Sequence, residues 1–150
     1  MKIPEPLFLV INPTIRFLLR SPMHAPMSKS LMLITFTGRN SGRSYTTPVR
    51  YVRIGDVVRC FTSPESQWWR NLREESDVVL RIEGEDKTYR ALAHHQDADS
   101  IREGLQHYLA LFPQDAAYHE IRLNADKSLV AEDLDRASRT AVMVEARPIS

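Results

Sequence analysis

The chain has 150 residues, a formal net charge of +1, and 43% apolar and 26% charged residues, a composition typical of a globular protein with one core. Its single cysteine excludes a disulfide framework and a multi-cysteine metal site, and favours a cytoplasmic protein. The apolar run at residues 7–11 is far shorter than the ~20 residues of a membrane span, so we expect no transmembrane segment.

The small net charge hides an asymmetry between the two halves of the chain. Residues 1–73 carry eleven lysines and arginines against three acids, whereas residues 74–150 carry nine against sixteen. Every basic residue in the range 38–73 is an arginine, whose guanidinium group suits bidentate contact with phosphate or carboxylate. This range is therefore either a solvated surface paired with the acidic half or an anion-binding region.

The first predicted element is a helix within an amino-terminal extension at about residues 1–28. Asn12 is a typical N-cap, and Pro13 follows at the first helical position, where its missing N–H costs nothing. A strand is predicted next at 31–37, because this apolar segment is too short for a typical helix and ends at Gly38.

Further strands follow, separated by short turns. Residues 44–53 alternate between two faces, and Pro48 must lie at an edge or a bulge because proline cannot donate to a ladder. A short helix beginning at Ser63-Pro64-Glu65 interrupts the series. Strands joined by short turns pair antiparallel, and the remaining ones are predicted at 57–62, 78–83 and 87–94.

The last part of the chain is mostly helical. Apolar residues recur at helical spacing up to Pro113, short helices are predicted at about 115–122 and 129–139, and a final strand is predicted at 140–145. This order predicts one α+β domain over residues 1–150, with an antiparallel sheet of about six strands, an N-terminal helix and peripheral helices.

No motif for covalent catalysis by the protein itself is present, since G-x-S-x-G, H-E-x-x-H and the P-loop sequence are all missing. The adjacent His94 and His95 point to opposite faces of a strand and cannot easily chelate one metal. The sequence therefore predicts neither a covalent nucleophile nor a metal site.

Two segments have patterns that suggest ligand binding. Between Gly38 and Pro48 runs GRNSGRSYTTP, in which two glycines, arginines and hydroxyls can present donors to an anion. The alternatives here are a phosphate cradle and an ordinary polar hairpin. In the second segment Trp68 and Trp69 diverge by about 100° on a helix, so we expect one to pack while the other lines a cleft.

Together these segments resemble the deazaflavin-dependent nitroreductase family of the FMN-binding split-barrel superfamily. The family pattern is roughly T-x-G-R-x-S-G-x-x-x-T-T-P followed by W-[WY]-x-N-L, and the similarity runs in register over about residues 31–92. The matching residues are Thr37, Gly38, Arg39, Ser41, Gly42, Thr46, Thr47, Pro48, Trp68, Trp69, Asn71 and Leu72. The resemblance implies a split β-barrel that holds the deazaflavin coenzyme F-420 in a cleft, with the hydride chemistry belonging to the cofactor.

The resemblance also implies roles for individual residues. The residues expected to bind the tail of the cofactor are Arg39, Ser41, Gly42 and Arg43. Those expected to line or border the ring are Thr46, Thr47, Pro48, Ser63 and Trp68, and Asn40 and Trp69 complete the predicted cofactor-binding set. Members that reduce nitroimidazoles carry Y-P-x-Y-x-x-Y, of which residues 112–118 keep only the last tyrosine. The candidate catalytic residues are Ser63 and Tyr118.

The leading hypothesis is an oxidoreductase that transfers a hydride from reduced F-420 to a small organic acceptor. One alternative keeps the fold but uses FMN. Another is a non-catalytic module that binds a fatty acid, haem or other apolar anion, suggested by the apolar run at 7–11. Nucleic acid is not an expected partner, because no aromatic residues alternate with the arginines in an RNP-like pattern. The resemblance implies a monomer or a homodimer.

Overall fold

The computed structural model describes residues 31–149, and the predicted amino-terminal helix at Asn12-Pro13 lies outside the described residues. None of the helices within 31–149 is both long and apolar enough to cross a membrane. The strands are β1 (Leu31–Thr37), β2 (Ser44–Arg50), β3 (Val52–Ile54), β4 (Val57–Thr62), β5 (Ser76–Ile82), β6 (Glu85–His95) and β7 (Val142–Pro148).

These strands form one antiparallel sheet in the order β2-β1-β5-β6-β7-β4-β3. The predicted α+β class is confirmed, but the sheet has seven strands rather than about six. The strand predicted at 44–53 is in fact two strands, because the chain changes partner at Tyr51. β2 pairs with β1, whereas β3 pairs with β4.

The two edges of the sheet, β2 and β3, are consecutive in the chain and separated only by Tyr51. One bent segment therefore supplies both edges, and the sheet curls into a half-open barrel. Tyr51 is 6% exposed, so the bend is anchored in the core. Pro48 lies in the edge strand β2, as its missing N–H predicts.

The barrel core consists of inward-facing residues from neighbouring strands. Full burial of one such apolar side chain stabilises the fold by roughly 1.5–3 kcal/mol. β1 and β5 contribute Met32, Ile34, Phe36, Val78, Leu80 and Ile82. A second apolar cluster, around Leu105, Leu109 and Leu134, lies between the helices and the sheet.

Two α-helices follow β6, α1 (Ala98–Leu111) and α2 (Ala131–Thr140). α1 ends before Pro113, as predicted. The helix predicted at 129–139 begins later, at Ala131, because Leu129 is held in an isolated bridge with Leu123.

Two further boundaries differ from the prediction. The helix predicted at 115–122 is a 3-10 helix, Pro113–His119. The last strand was predicted at 140–145, but α2 continues to Thr140 and the strand runs from Val142 to Pro148.

The helix predicted at Ser63 is a 3-10 helix over Trp68–Leu72. The Ser63 Oγ accepts a hydrogen bond from the N–H of Glu65 (3.2 Å), and the Ser63 carbonyl accepts one from the N–H of Ser66 (3.1 Å). The cap pattern at Ser63 therefore forms a separate turn before the helix, because a serine hydroxyl can complete a turn locally.

Candidate functional site

Residues 38–43, called here the hairpin, connect β1 to β2. The N–H of Gly38 donates to the carbonyl of Arg43, and the N–H of Gly42 donates to the carbonyl of Gly38, both at 2.8 Å. Gly42 has a φ of +72°, a region that favours glycine. The chain thus reverses tightly and leaves Arg39, Asn40 and Arg43 exposed.

Gly38 allows two side chains to approach the backbone of the hairpin. A β-carbon at residue 38 would lie 2.7 Å from Cε2 of Tyr45 and 2.8 Å from Oγ of Ser41. The Tyr45 hydroxyl and the Ser41 Oγ are 3.1 Å apart and hydrogen bonded. Because residue 38 has no β-carbon, the side chains of Ser41 and Tyr45 can approach the hairpin backbone at residue 38, and their hydroxyls form a polar wall there.

An aromatic wall stands beside the hairpin and consists of Phe36, Tyr45 and Trp68. The ring centroid of Phe36 lies 5.9 Å from that of Tyr45 and 5.9 Å from that of Trp68, with interplanar angles of 27° and 37°. Phe36 and Trp68 are 5% and 4% exposed, whereas Tyr45 is 37% exposed. The core therefore fixes two rings of the wall, and the third faces solvent.

The Asn71 side chain joins the hairpin to the 3-10 helix Trp68–Leu72. Its Oδ1 accepts a hydrogen bond from the backbone N–H of Arg39, and its Nδ2 donates to the carbonyl of Trp68, both at 2.9 Å.

A cleft of ≈ 310 Å³ lies between the hairpin, the aromatic wall and the 3-10 helix. Small-molecule sites commonly measure about 300–1,000 Å³, so the cleft has room for a compact planar ligand. The predicted cofactor-binding residues that line it are Asn40, Ser41, Thr46, Thr47 and Trp68. The lining residues that sequence analysis did not place in the site are Phe36, Gly38, Tyr45, Gln67 and Asn71.

The other predicted cofactor-binding residues do not line the cleft. Arg39, Gly42 and Arg43 belong to the exposed part of the hairpin, and Pro48 is buried in β2. Trp69 packs in the core, 5.0 Å from the ring of His95, while Trp68 lines the cleft. Both tryptophans are thus buried in the core, and of the two Trp68 is the one that also lines the cleft.

Neither candidate catalytic residue lines the cleft. Ser63 is 4% exposed and donates its hydroxyl proton to the carboxylate of Glu65 in a short hydrogen bond. Tyr118 lies in the 3-10 helix Pro113–His119, with its ring edge-on to His119 at 4.9 Å. The hydroxyls that reach the cleft belong instead to Ser41, Tyr45, Thr46 and Thr47.

The arginines of the stretch 38–73 differ in their pairing. Arg50 pairs with Asp115 at 3.2 Å and Arg59 pairs with Glu145 at 2.8 Å. Within residues 31–149, by contrast, no carboxylate forms an ion pair with Arg39 or Arg43. Arg50 and Arg59 are thus paired within the fold, whereas no described carboxylate pairs with the two hairpin arginines.

Among residues 31–149, the groups with a displaced pKa lie outside the cleft lining. Burial raises the pKa of Cys60 to about 12, and burial together with a hydrogen bond to Asp115 raises the pKa of Tyr108. Hydrogen bonds from Arg122 lower the pKa of Asp133. Of the described residues that line the cleft, none is a carboxylate, so the cleft presents only hydroxyls, amides and aromatic faces.

The adjacent histidines of β6 have separate surroundings. The Nε2 of His94 lies 3.6 Å from Oε1 of Glu145, whereas His95 packs against Trp69. Among residues 31–149 no cluster of three histidine, cysteine or acidic side chains could hold a metal ion.

The curled antiparallel sheet with a cleft beside its hairpin defines a split barrel. A solved structure described as a domain-swapped dimer has a TM-score of 0.57 at 15% identity, covering 95% of this chain and 100% of the other. An F420-H2 dependent reductase has a TM-score of 0.53 at 15% identity, covering 78% and 94%. A protein of unknown function from Agrobacterium tumefaciens has a TM-score of 0.57 at 13% identity, covering 88% and 57%. At such identities the likeness shows the fold, and the predicted split barrel is confirmed.

A family model described as F420H(2)-dependent quinone reductase matches residues 21–130. The chain therefore belongs to the F420H(2)-dependent quinone reductase family. The resemblance to deazaflavin-dependent reductases drawn from the two sequence motifs is thereby confirmed. No curated protein matches the sequence significantly.

Proposed function

We propose that this protein transfers a hydride from reduced F-420 to a small organic acceptor, with a quinone as the first acceptor to test. The observation that carries the proposal is the composition of the cleft. The cleft combines an aromatic wall with a row of hydroxyls, and the exposed hairpin beside it adds two guanidinium groups with which no described carboxylate pairs. A planar ring with an anionic tail needs these three kinds of contact.

The hairpin fits an anionic tail. Arg39 and Arg43 are exposed and flank Ser41 in the sequence, and two backbone hydrogen bonds close the tight turn that contains them. A hydrogen bond to a charged group contributes about 1.5–3 kcal/mol. Two guanidinium groups are therefore enough to make the affinity for a phosphate-bearing ligand depend on this hairpin.

The inner part of the cleft fits a planar ring. Trp68 and Phe36 present apolar faces that are fixed by their burial. Thr47 is 7% exposed and lines the cleft beside Thr46, and Pro48 follows in the same strand. The aromatic faces would bind the ring by stacking, and the threonine hydroxyls would orient its polar edge.

The chemistry divides between cofactor and protein. When bound, the reduced coenzyme supplies the hydride, and a quinone acceptor needs one more proton, taken from water, to become a hydroquinone. The protein residues bind, orient and exclude water from the buried face of the ring. Ser63 and Tyr118 remain candidate catalytic residues. In the structure the Ser63 hydroxyl donates a hydrogen bond to the Glu65 carboxylate.

Titration of the purified protein with F-420 and with FMN, followed by tryptophan fluorescence, tests the proposal. We expect saturable quenching by F-420, and oxidation of the reduced coenzyme when a quinone is added. A yellow protein that retains FMN on purification would favour the flavin alternative. No response to either cofactor at tens of micromolar would overturn the proposal, and mass spectrometry of extracted ligand would then identify an apolar anion.

The assembly stays a prediction of a monomer or a homodimer. Analytical ultracentrifugation of the purified protein distinguishes the two.

A further inference from the structure

The two halves of the proposed cofactor site belong to distant parts of the chain. The hairpin lies between β1 and β2, whereas Trp68 belongs to the 3-10 helix that follows β4. Within the described residues, the bond from the Arg39 N–H to Asn71 is the one hydrogen bond between the hairpin and that helix. Asn71 is thus the direct polar link between the hairpin and the helix that carries Trp68.

The orientation of the Asn71 amide follows from its two partners. The backbone N–H of Arg39 can only donate, so it requires the amide oxygen. The carbonyl of Trp68 can only accept, so it requires the amide nitrogen. A single rotamer of Asn71 makes both hydrogen bonds at 2.9 Å. A movement of Arg39 relative to Trp68 would therefore lengthen at least one of them.

We propose that Asn71 is a positioning residue that holds the tail-binding hairpin at a fixed distance from the ring-binding Trp68. This inference rests on the proposed function, because it assumes one ligand whose tail and ring occupy the two halves together. When two contacts are preorganised at the spacing of the ligand, binding of the ring makes binding of the tail effectively intramolecular. A hairpin that moves independently of Trp68 loses this advantage.

The inference predicts that loss of the Asn71 hydrogen bonds lowers the affinity for the whole coenzyme relative to the affinity for its ring portion. The probes are intact F-420 and the phosphate-free deazaflavin riboside, which keeps the ring and lacks the anionic tail. In Asn71→Leu both hydrogen bonds are lost, and we expect the preference for intact F-420 over the riboside to fall by about tenfold. Because Asn71 also lines the cleft, its substitution can change the affinity for the ring as well, so the riboside serves as the reference and the ratio of the two affinities is the readout.

A purely structural role of Asn71 would not change this ratio, since partial unfolding lowers the affinity for both ligands alike. Asn71→Ser provides a second variant, whose hydroxyl can replace one bond but not both at once. Asn71 is only partly buried, so both variants are expected to fold, and circular dichroism checks this. Asn124→Ala is the matched control, because Asn124 also bridges two groups, Ser128 and the Leu129 carbonyl, but outside the cleft lining.

Each outcome decides between the claims. A reduced ratio in both Asn71 variants, with an unchanged ratio in the Asn124 control, supports the positioning role. An unchanged ratio in folded Asn71 variants overturns that role and leaves the proposed function standing. If the wild-type protein binds neither F-420 nor the riboside, the proposed function fails and the role of Asn71 fails with it.

Discussion

The ring of Tyr45 lies in the space that a β-carbon on residue 38 would need. An ideal β-carbon there would be only 2.7 Å from Cε2 of Tyr45. Gly38 is not among the glycines with positive φ, so its requirement is steric rather than conformational. The first glycine of the hairpin therefore makes room for one ring of the aromatic wall.

Gly38→Ala is expected to push the Tyr45 ring and the Ser41 hydroxyl away from the hairpin. Because Tyr45 is partly exposed and can yield, the stability cost should be near the low end of overpacking effects, about 1 kcal/mol. The free energy of F-420 binding should weaken by more than the free energy of unfolding, since both displaced side chains line the cleft. Urea unfolding and fluorescence titration measure the two effects.

The control is a double-mutant cycle with Tyr45→Ala. Removing the ring relieves the closest clash, so Gly38→Ala should destabilise the Tyr45→Ala background less than the wild type. Additive effects of the two substitutions would contradict the steric explanation.

Removal of a hairpin charge should weaken binding of the intact coenzyme. We expect Arg39→Ala and Arg43→Ala each to raise the Kd for F-420 by about 10- to 100-fold, with a smaller effect at high salt. The matched control is Arg102→Ala, an exposed arginine paired with Asp135 at 2.6 Å. Equal losses in all three variants would show that overall charge, rather than the hairpin, determines affinity.

The two tryptophans are the only ones in the chain and should report on binding differently. Trp68 lines the cleft and Trp69 does not, so quenching by F-420 should arise mainly from Trp68. We expect Trp68→Phe to lose most of the quenching and Trp69→Phe to retain it. Strong quenching that survives in Trp68→Phe would place the ring elsewhere.

Much of the site could be predicted because its residues are neighbours in the sequence. Ser41, Thr46 and Thr47 come from one motif, and Tyr45 shares a strand face with Thr47 by simple alternation. The contact of Asn71 with Arg39 spans 32 positions and depends on how the sheet curls, so local patterns carry no signal for it. The bend at Tyr51 could likewise not be predicted, because the alternation of side chains between two faces continues through it in the sequence.

The acid stability of the helical part should depend on Asp133. Its side chain is 5% exposed, and hydrogen bonds from Arg122 hold the pKa of the carboxyl below its ordinary value of 3.8. A carboxyl with a lowered pKa stabilises the fold above its unfolded pKa, and this contribution is lost as the pH falls through the folded pKa. The stability gap between wild type and Asp133→Asn should thus be constant from about pH 7 to about pH 5 and shrink below that.

Urea unfolding at each pH measures this gap. Asp126→Asn is a suitable comparison, because Asp126 is exposed and its lowered pKa depends on Ser128 rather than on an arginine. If the stability difference between wild type and Asp133→Asn grew on acidification, it would contradict a lowered pKa for Asp133.

Cys60 should be unreactive in the folded protein. It is 1% exposed, and burial raises the pKa of its thiol to about 12, so very little thiolate is present at neutral pH. We expect no labelling by a thiol-specific disulfide reagent until the barrel unfolds, and one equivalent afterwards. Rapid stoichiometric labelling of the native protein would show that the strand carrying Cys60 opens readily.

The bend at Tyr51 also affects self-association. Unpaired edge strands are the usual templates for β-sheet aggregation. Here one edge is β3, with three residues, and the other is β2, which contains Pro48. A strand from a second copy could form few hydrogen bonds with the short β3. At β2 it would meet Pro48, which has no N–H to donate. Within residues 31–149, the bend that shapes the cleft thus leaves two edges at which we expect strand addition to be unfavourable.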